Sequence, residues 1–359
     1  MVASSSARRI LLTGASGLLG GELTGRLVDR GHGVTALVRV RREVRRNDGR
    51  ALPVTDWPER TPGAVALVDG DVARPDFGLE PAEAEAVARG HDLIVHCAAA
   101  TGFDLPPAVH RSVNVDGTAH AVGLARRAGL PLLHVSTAYA WGKRDGPVRE
   151  AALADPLDHA NGYEASKAGA EGIVRGSGLV HAIARPSIVV GDHRTGAIRA
   201  FDTFYVVFRL LARGRVRSLP ASPHASLDLV PIDHVAAGLV DLAERIEEAN
   251  GRFFHLVSGA PVGVDRFRDA IAAWPQFARA DLVDPARFDT SALSASERRL
   301  HERVLGLYAS YFRHDPHFLD DEARAFTGRA CPATDDAFLH RLAAFSIGAG
   351  FVPAAGGPA

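Results

Sequence analysis

The sequence is poor in cysteine and lacks any long apolar run. Its 359 residues include two cysteines, Cys97 and Cys331, which lie far apart. This scarcity excludes a disulfide framework and is typical of a reducing compartment, so we expect a cytoplasmic protein. No cysteine–histidine cluster has metal-ligand spacing, and we therefore expect no metal site. No apolar stretch reaches the ~18 residues that a membrane span requires, so no membrane span is expected.

An excess of charge of either sign is also missing. Lysine and arginine number 41, aspartate and glutamate 42, and the formal net charge is −1. Nucleic-acid-binding and membrane-surface proteins usually carry a strongly basic face, so we expect neither partner. Apolar residues make up 47% of the chain, enough for a full core at this length. The length predicts two domains, or one large domain with an appendage.

Apolar strands alternate with helical segments in the first half of the chain. The strands are apolar throughout, as is typical of strands covered on both faces. They are predicted at 9–12, 33–38, 64–68, 92–97, 131–136 and 179–184, with helices at 18–30, 81–90, 112–128 and 160–176. The arginine- and proline-rich segment 39–63 is predicted as a loop with one helical turn at most. The alternation predicts an α/β fold with a doubly wound parallel sheet.

The alternation fades after Gly191. Residues 226–258 predict a strand, a helix and a strand that return to the sheet. A helix is predicted over 295–312, because Ser294 and Glu297 form a capping box. Its apolar face includes Tyr308 and Tyr311, which we interpret as core packing. We expect one domain of 9–191 plus about 226–258, and a smaller, mostly helical one of about 192–225 plus 259–352, with flexible tails at 1–8 and 353–359.

A glycine-rich turn joins the first strand to the first helix. Residues 13–20 read T-G-A-S-G-L-L-G. Such a turn offers free backbone N–H groups and the positive end of a helix dipole to an anion such as a dinucleotide pyrophosphate. Gly14 allows the tight turn, Gly17 lets phosphates approach the backbone, and Gly20 lets helix and strand pack closely. The spacing alone also fits an ordinary strand–helix turn.

Three further signals follow predicted strands or lie on a predicted helix. Tyr163 and Lys167 are four residues apart, so they share a helix face, where an ammonium lowers a phenol's pKa and favours acid–base chemistry. Ser136 and Thr137 end the fifth strand, where a hydroxyl enters the ligand crevice of an α/β sheet. The run 185–191 ends the sixth strand, where backbone can flank a cofactor. Each signal alone also fits a structural role: a surface pair, a loop cap or a strand exit.

The order and spacing of these signals resemble those of the extended short-chain dehydrogenases/reductases. Local runs narrow the resemblance to the thioester-reductase and fatty acyl-CoA reductase branch. These runs are D-G-D-V at 69–72, H-C-A-A-A-T-G-F at 96–103, N-V-D-G-T at 114–118 and H-V-S-T-A-Y at 134–139. The resemblance covers about residues 9–258 and is vague over 259–359. It implies a Rossmann-type domain with a C-terminal substrate domain.

The resemblance implies roles for individual residues. It selects Thr137 rather than Ser136 as the active hydroxyl, and it makes Tyr163 the proton donor. Lys167 is implied to hold the nicotinamide ribose and tune Tyr163, and Asn114 to brace the site. Together with the glycine-rich turn, it leads us to expect cofactor contacts from Gly14, Ser16, Gly17, Leu18, Gly20, Arg39, Asp71, Val72, Ala98, Ala99, Pro186, Ser187 and Ile188.

Arg39 indicates the cofactor. A dinucleotide-binding fold selects NAD with an acid at the end of the second strand and NADP with an arginine there. Here that strand ends Val38-Arg39, and a guanidinium suits a 2′-phosphate. We therefore expect NADPH. The other arginines of this loop, Arg41, Arg42, Arg45 and Arg46, also fit a solvated loop.

The resemblance implies hydride transfer from NADPH to an acyl thioester, on coenzyme A or a separate carrier protein, to give an aldehyde or alcohol. One alternative is reduction of a free ketone, aldehyde or other small carbonyl compound, or oxidation of a hydroxy compound, at the same Thr-Tyr-Lys site. Another is a non-catalytic NADP-binding sensor. Aromatic residues that could line an acyl site, or simply pack in the core, are Phe201, Phe204, Tyr205 and Phe208. The oligomer is left open between monomer and homodimer.

Overall fold

The computed structural model describes residues 7–154, 156–201, 204–212 and 216–352. Its strands are β1 (Arg9–Thr13), β2 (Gly33–Val38), β3 (Val54–Asp56), β4 (Val65–Asp69), β5 (Leu93–His96), β6 (Leu132–Val135), β7 (Gly146–Val148), β8 (His181–Pro186), β9 (Ile188–Val190), β10 (Ser218–Pro220), β11 (Ser226–Leu227), β12 (Leu229–Pro231), β13 (Arg252–Leu256), β14 (Val262–Gly263), β15 (Asp281–Val283) and β16 (Pro316–Phe318).

Its α-helices are α1 (Leu18–Asp29), α2 (Pro81–Arg89), α3 (Pro107–His110), α4 (Gly117–Ala128), α5 (Gly162–Arg175), α6 (Phe204–Ala212), α7 (Ile232–Glu244), α8 (Val264–Ala272), α9 (Ala295–Leu300), α10 (Gly306–Tyr308), α11 (Asp321–Thr327) and α12 (Asp336–Gly348). Two π-helical segments, Arg111–Asp116 and His301–Leu305, interrupt longer helical runs. Among the described residues, no helix combines the length and the apolar character needed to cross a bilayer.

Eight parallel strands form one sheet in the order β13-β8-β6-β5-β1-β2-β4-β3. Successive side chains of a strand point to opposite faces. Ile10 and Leu12 therefore pack against α1 and α7 on one face, and Leu11 packs against α2 and α4 on the other. All three are fully buried. The predicted α/β fold with a doubly wound parallel sheet is confirmed.

The four predicted helices of the first half are confirmed, whereas the predictions for three segments need correction. Segment 39–63 contains β3, which pairs with β4 at the sheet edge; a three-residue strand with an exposed Val54 gives almost no apolar signal. The strand predicted at 179–184 runs from His181 to Pro186. Segment 226–258 is predicted to return two strands to the sheet, but only β13 joins it, beside β8. β11 pairs instead with β14, and β12 pairs with β9.

Besides the apolar cores on the two faces of the sheet, a third apolar core lies among α6, α8 and α12. Phe208, Phe267 and Phe338 are at most 1% exposed within it. The predicted late helix is present as consecutive helical turns over 295–312, and its capping box between Ser294 and Glu297 is confirmed. Residues 1–6 of the predicted N-terminal tail and the whole predicted C-terminal tail, 353–359, lie outside the described residues.

Candidate functional site

A cleft of about 670 Å³ lies where several parallel strands end. Every cofactor contact expected from the sequence, apart from Lys167, lines this cleft, and so do Thr137 and Tyr163. The sheet explains this convergence, because the carboxyl ends of its parallel strands meet at one edge. The residues brought together are Gly14, Ser16, Gly17, Leu18, Gly20, Arg39, Asp71, Val72, Ala98, Ala99, Pro186, Ser187 and Ile188.

The glycine-rich turn is built so closely that side chains are excluded. Gly14 has a φ of 80°, and a Cβ there would lie 2.7 Å from the Ala98 nitrogen. A Cβ on Gly20 would lie 2.2 Å from the Gly14 oxygen. Among the described residues, no side chain caps the N-terminus of α1. Its first N–H groups are therefore left for solvent or for an anion, which fits the pyrophosphate of a dinucleotide.

Both candidate hydroxyls after β6 line the cleft. The Thr137 Oγ1 donates to the Pro186 oxygen at 3.4 Å and accepts from the Tyr139 nitrogen at 3.3 Å. The Ser136 Oγ is buried and has no hydrogen-bond partner among the described residues. The geometry brings both within reach of a ligand, so the choice of Thr137 still depends on the resemblance.

Helix α5 carries Tyr163 and Lys167. It begins at Gly162 because the Asn161 side chain accepts a hydrogen bond from the Glu164 nitrogen at 2.9 Å. Tyr163 lines the cleft, whereas the Lys167 side chain is buried and does not line it. The Lys167 Nζ donates to the Val135 oxygen at 2.7 Å. The ammonium therefore lies beneath the end of β6 rather than in the open cleft.

Apart from the Glu171 carboxylate, which is paired with Arg185, the ionisable neighbours of Lys167 are uncharged at pH 7. Burial lowers the pKa of Lys167 to about 8 and that of His96 to about 3. Burial likewise holds the pKa of His134 well below its usual value and raises that of Cys97 to about 11. At neutral pH the lysine is thus a buried cation whose ionised neighbour Glu171 is already paired with Arg185, an arrangement that costs stability and is typical of functional sites.

Replacing Lys167 with methionine should separate stability from activity. We expect turnover to be lost, but the free energy of unfolding at pH 7 to rise by ~1–2 kcal/mol, since methionine fills the space without a buried charge. The folded-state pKa of Lys167 lies below the unfolded value of about 10.4, so the wild-type protein gains stability as pH rises from about 8 to about 10.4. Urea unfolding across that range measures the difference.

The advantage of the methionine variant should therefore shrink above pH 8. A variant less stable than the wild type at pH 7, or a stability difference that does not vary with pH, would contradict the assignment of a charged, buried Lys167.

Asn114 connects the cleft wall to α5. Its Oδ1 accepts from the Ala100 nitrogen at 2.7 Å, and its Nδ2 donates to the Ser166 Oγ at 2.8 Å. Asn114 is fully buried and lies in the π-helical segment Arg111–Asp116. Local π geometry of this kind is frequent at functional sites. Asn114 thus joins the loop after β5 to the helix of Tyr163.

Among the arginines that follow β2, Arg39 lines the cleft. Its Nη1 lies 3.7 Å from the Asp71 Oδ2, and its side chain is 65% exposed. Arg42 instead pairs with Asp56 and Asp69. Arg45 pairs with Glu43, while the buried Arg46 binds the Gly25 oxygen and Asp29. Arg41 is exposed and does not line the cleft either.

Arg199 reaches the glycine-rich turn from a distant part of the chain. Its Nη2 donates to the Gly17 oxygen at 2.8 Å, and its backbone nitrogen donates to the Asn47 Oδ1 at 3.1 Å. Sequence reasoning missed this contact because the two segments are far apart in the chain and no local pattern links them.

The far end of the cleft is aromatic. It is lined by Phe103, Tyr139, Phe204 and Tyr311. Of the four aromatic residues predicted for an acyl site, only Phe204 lines this cleft. The other three pack elsewhere: Phe208 is fully buried in the core, Phe201 stacks on Phe351, and the Tyr205 hydroxyl accepts from the Gly191 nitrogen.

Tyr311 is a residue whose position the sequence did not reveal. It belongs to the predicted apolar face of the late helix, which we interpreted as core packing. Tyr311 does pack in the core, but its ring also forms part of the cleft wall. The one available signal was the aromatic spacing of that face, which fits a core equally well.

Curated proteins and solved structures resemble this chain over two thirds of its length or more. Curated relatives include aldehyde reductase lnaA of Aspergillus flavus, 27% identical over 69% of this chain and 25% of the relative. A linear gramicidin synthase of Brevibacillus parabrevis is 31% identical over 73% of this chain and 5% of the relative. Carboxylic acid reductase of Segniliparus rugosus is 27% identical over 87% of this chain and 30% of the relative. The chain thus spans less than a third of the length of these proteins.

Among solved structures, the terminal R domain of the myxalamid PKS-NRPS pathway matches with a TM-score of 0.76 and 26% identity, over 96% of this chain and 92% of the other. A UDP-galactose 4-epimerase matches in fold alone, with a TM-score of 0.63 and 18% identity over 94% and 98% of the two chains. The family model described as "Male sterility protein" matches residues 12–239. The chain therefore belongs to this family, in the thioester-reductase-like branch of the extended short-chain dehydrogenases/reductases, which are NAD(P)-dependent oxidoreductases.

Proposed function

We propose that this protein is an NADPH-dependent reductase of acyl thioesters, giving an aldehyde or, after a second reduction, an alcohol. The observation that carries the proposal is the continuity of one cleft. It runs from the glycine-rich turn past Thr137 and Tyr163 to an aromatic end. A dinucleotide seated on the turn would present its nicotinamide near Pro186 and Ser187, with room beyond it for an acyl group.

The chain's own residues supply the polar part of the chemistry. NADPH, when bound, supplies a hydride. The Thr137 hydroxyl and the Tyr163 phenol are the donors for the acyl carbonyl oxygen, and they stabilise the negative charge that develops there. Tyr163 then gives its proton to that oxygen, and the resulting hemithioacetal collapses to an aldehyde and a thiol. The Lys167 ammonium, one turn further along α5, favours the phenolate that remains.

The preference for NADPH rests on Arg39. We expect Arg39→Ala to raise the KM for NADPH ~10- to 100-fold, because a charge-assisted hydrogen bond contributes about 1.5–3 kcal/mol. The KM for NADH, which lacks the 2′-phosphate, should change little. Initial rates with each nucleotide measure both constants.

Arg42→Ala is the matched control. Arg42 lies in the same loop, but it is paired with Asp56 and Asp69 and does not line the cleft. Its loss should leave the KM for NADPH within a few-fold of the wild type. Equal effects of the two substitutions would place the 2′-phosphate elsewhere.

The carrier of the acyl group is part of the proposal. A linear gramicidin synthase and a nonribosomal peptide synthetase are among the relatives, and one structural neighbour is a thiolation-reductase di-domain. These likenesses support a thioester held on a carrier protein, and coenzyme A offers the same reactive group. A panel of acyl-CoA and acyl-carrier thioesters, followed by NADPH absorbance, tests the proposal; oxidation of NADPH by thioesters is expected.

Reduction of a free carbonyl compound is the second candidate, and the name of the relative aldehyde reductase lnaA favours it. Matching free aldehydes and ketones belong in the same panel. Rapid reduction of these compounds, with none for any thioester, would favour this candidate. NADPH binding without turnover on any compound would instead favour the non-catalytic sensor.

A further inference from the structure

Tyr311 occupies a junction between cavities at the aromatic end of the cleft. Its ring stacks on Phe103 with centroids 5.9 Å apart and meets Tyr139 edge-on at 4.6 Å. It is 9% exposed. The same ring lines the main cleft, a small apolar pocket and a small polar pocket. Tyr311 is thus a shared wall rather than the lining of one space.

The apolar pocket lies directly behind this wall. It is lined by Ile188, Phe204, Val207, Leu227, Tyr308, Tyr311 and Phe312. Ile188 and Phe204 also line the main cleft, so the two spaces are adjacent. The pocket volume is about 20 Å³, which is room for about one water-sized group. With the Tyr311 ring in place, the pocket therefore has no room for an acyl chain.

The ring is held from its polar side as well. The Tyr311 phenol interacts with the Glu164 carboxyl, which accepts a hydrogen bond from the Ala160 nitrogen at 2.9 Å. Glu164 follows Tyr163 directly in the first turn of α5. Displacing the ring would remove this interaction and the two aromatic contacts, so the wall is held close to α5.

We propose that Tyr311 is a specificity-determining residue that sets the length of the acyl chain. The acyl chain of the substrate lies between Phe103, Phe204 and Tyr139 and ends against the Tyr311 ring. The favoured substrate is a thioester of a short aliphatic acid, and the apolar pocket behind the ring accepts the end of a longer chain once the ring is removed. This inference rests on the proposed function and deepens it.

The test is a chain-length profile. Saturated acyl-CoA thioesters from short to long are assayed with NADPH on the wild type, Tyr311→Ala and Tyr311→Phe. We expect Tyr311→Ala to shift the best substrate to longer chains, with kcat/KM rising ~4-fold per additional buried methylene, from the transfer free energy of about 0.8 kcal/mol each. Tyr311→Phe keeps the ring and should keep the wild-type profile. Tyr311→Leu, which retains an apolar core side chain, serves if the alanine variant does not fold.

Two results would overturn the inference. One is an unchanged profile in the shortened variants, and the other is an equal shift in Tyr311→Phe. A second readout separates this inference from the proposed function, because straight-chain alcohols can be titrated into the NADP-bound proteins by calorimetry. If no thioester is reduced, the proposed function fails. The inference that Tyr311 limits the chain length is still supported if Tyr311→Ala alone gains affinity for the longer alcohols, and it is contradicted if that variant does not.

Discussion

Replacing Tyr163 with phenylalanine should lower kcat by ~10²- to 10⁴-fold, the usual contribution of a positioned proton donor. The ring keeps its place in the cleft wall, while the phenol that we propose to stabilise and protonate the carbonyl oxygen is removed. Because the glycine-rich turn and Arg39 lie elsewhere in the cleft, NADPH should bind within a few-fold of its wild-type affinity. Single-turnover rates and a fluorescence titration of NADPH measure the two quantities.

The contrast between the two measurements is the informative part. A Tyr163→Phe variant with near-wild-type turnover would remove Tyr163 from the mechanism. A variant that lost NADPH binding to the same extent as turnover would show instead that the substitution disturbs the cleft as a whole.

Replacing Glu171 with alanine should lower the free energy of unfolding by ~3–5 kcal/mol, the cost of leaving a buried charge without its partner. The Arg185 Nε and Nη2 donate to the two Glu171 carboxylate oxygens at 2.9 and 2.7 Å. The side chains are 0% and 1% exposed. Arg185 lies in β8 directly before Pro186 of the cleft wall, so we expect activity to decline as well. Chemical denaturation measures the stability loss.

Glu85→Ala provides the matched control. Glu85 forms an ion pair with Arg89 on the surface of α2, where the side chains are 60% and 75% exposed. Exposed pairs of this spacing contribute ~0.3–0.5 kcal/mol. Losses of similar size in the two variants would mean that burial does not determine the strength of the Arg185–Glu171 pair.

The sheet and the turn could be predicted because their signals are local. Ile10, Leu11 and Leu12 are apolar in succession, since both faces of the sheet are covered. Gly14 and Gly20 touch each other in the turn, and this contact leaves no room for a Cβ on Gly20. Parallel topology then brings the ends of β1, β6 and β8 together without further information. The cofactor end of the cleft could therefore be predicted from a few short runs, whereas its aromatic end could not.

The remaining features depend on contacts between distant segments. Arg185 follows an expected strand, but the sequence does not show that its partner is Glu171 rather than a cofactor. Lys167 shares a helix with Tyr163 as expected, yet its ammonium binds the Val135 oxygen beneath β6. Tyr311 lines the cleft from the late helix, and Arg199 contacts the Gly17 oxygen from a segment without a clear pattern. Side-chain direction and tertiary packing, rather than periodicity, decide each of these positions.

The central claim is hydride transfer to an acyl thioester in this cleft. Its most direct test uses NADPH deuterated at C4 of the nicotinamide, an acyl-CoA and an aldehyde trap, with mass spectrometry of the products. We expect one deuterium on the carbonyl carbon of the trapped aldehyde, one free thiol released for each NADPH oxidised, and the loss of both products in Tyr163→Phe. Oxidation of NADPH without a deuterated aldehyde, or no oxidation with any thioester while free carbonyl compounds are reduced, would contradict the claim.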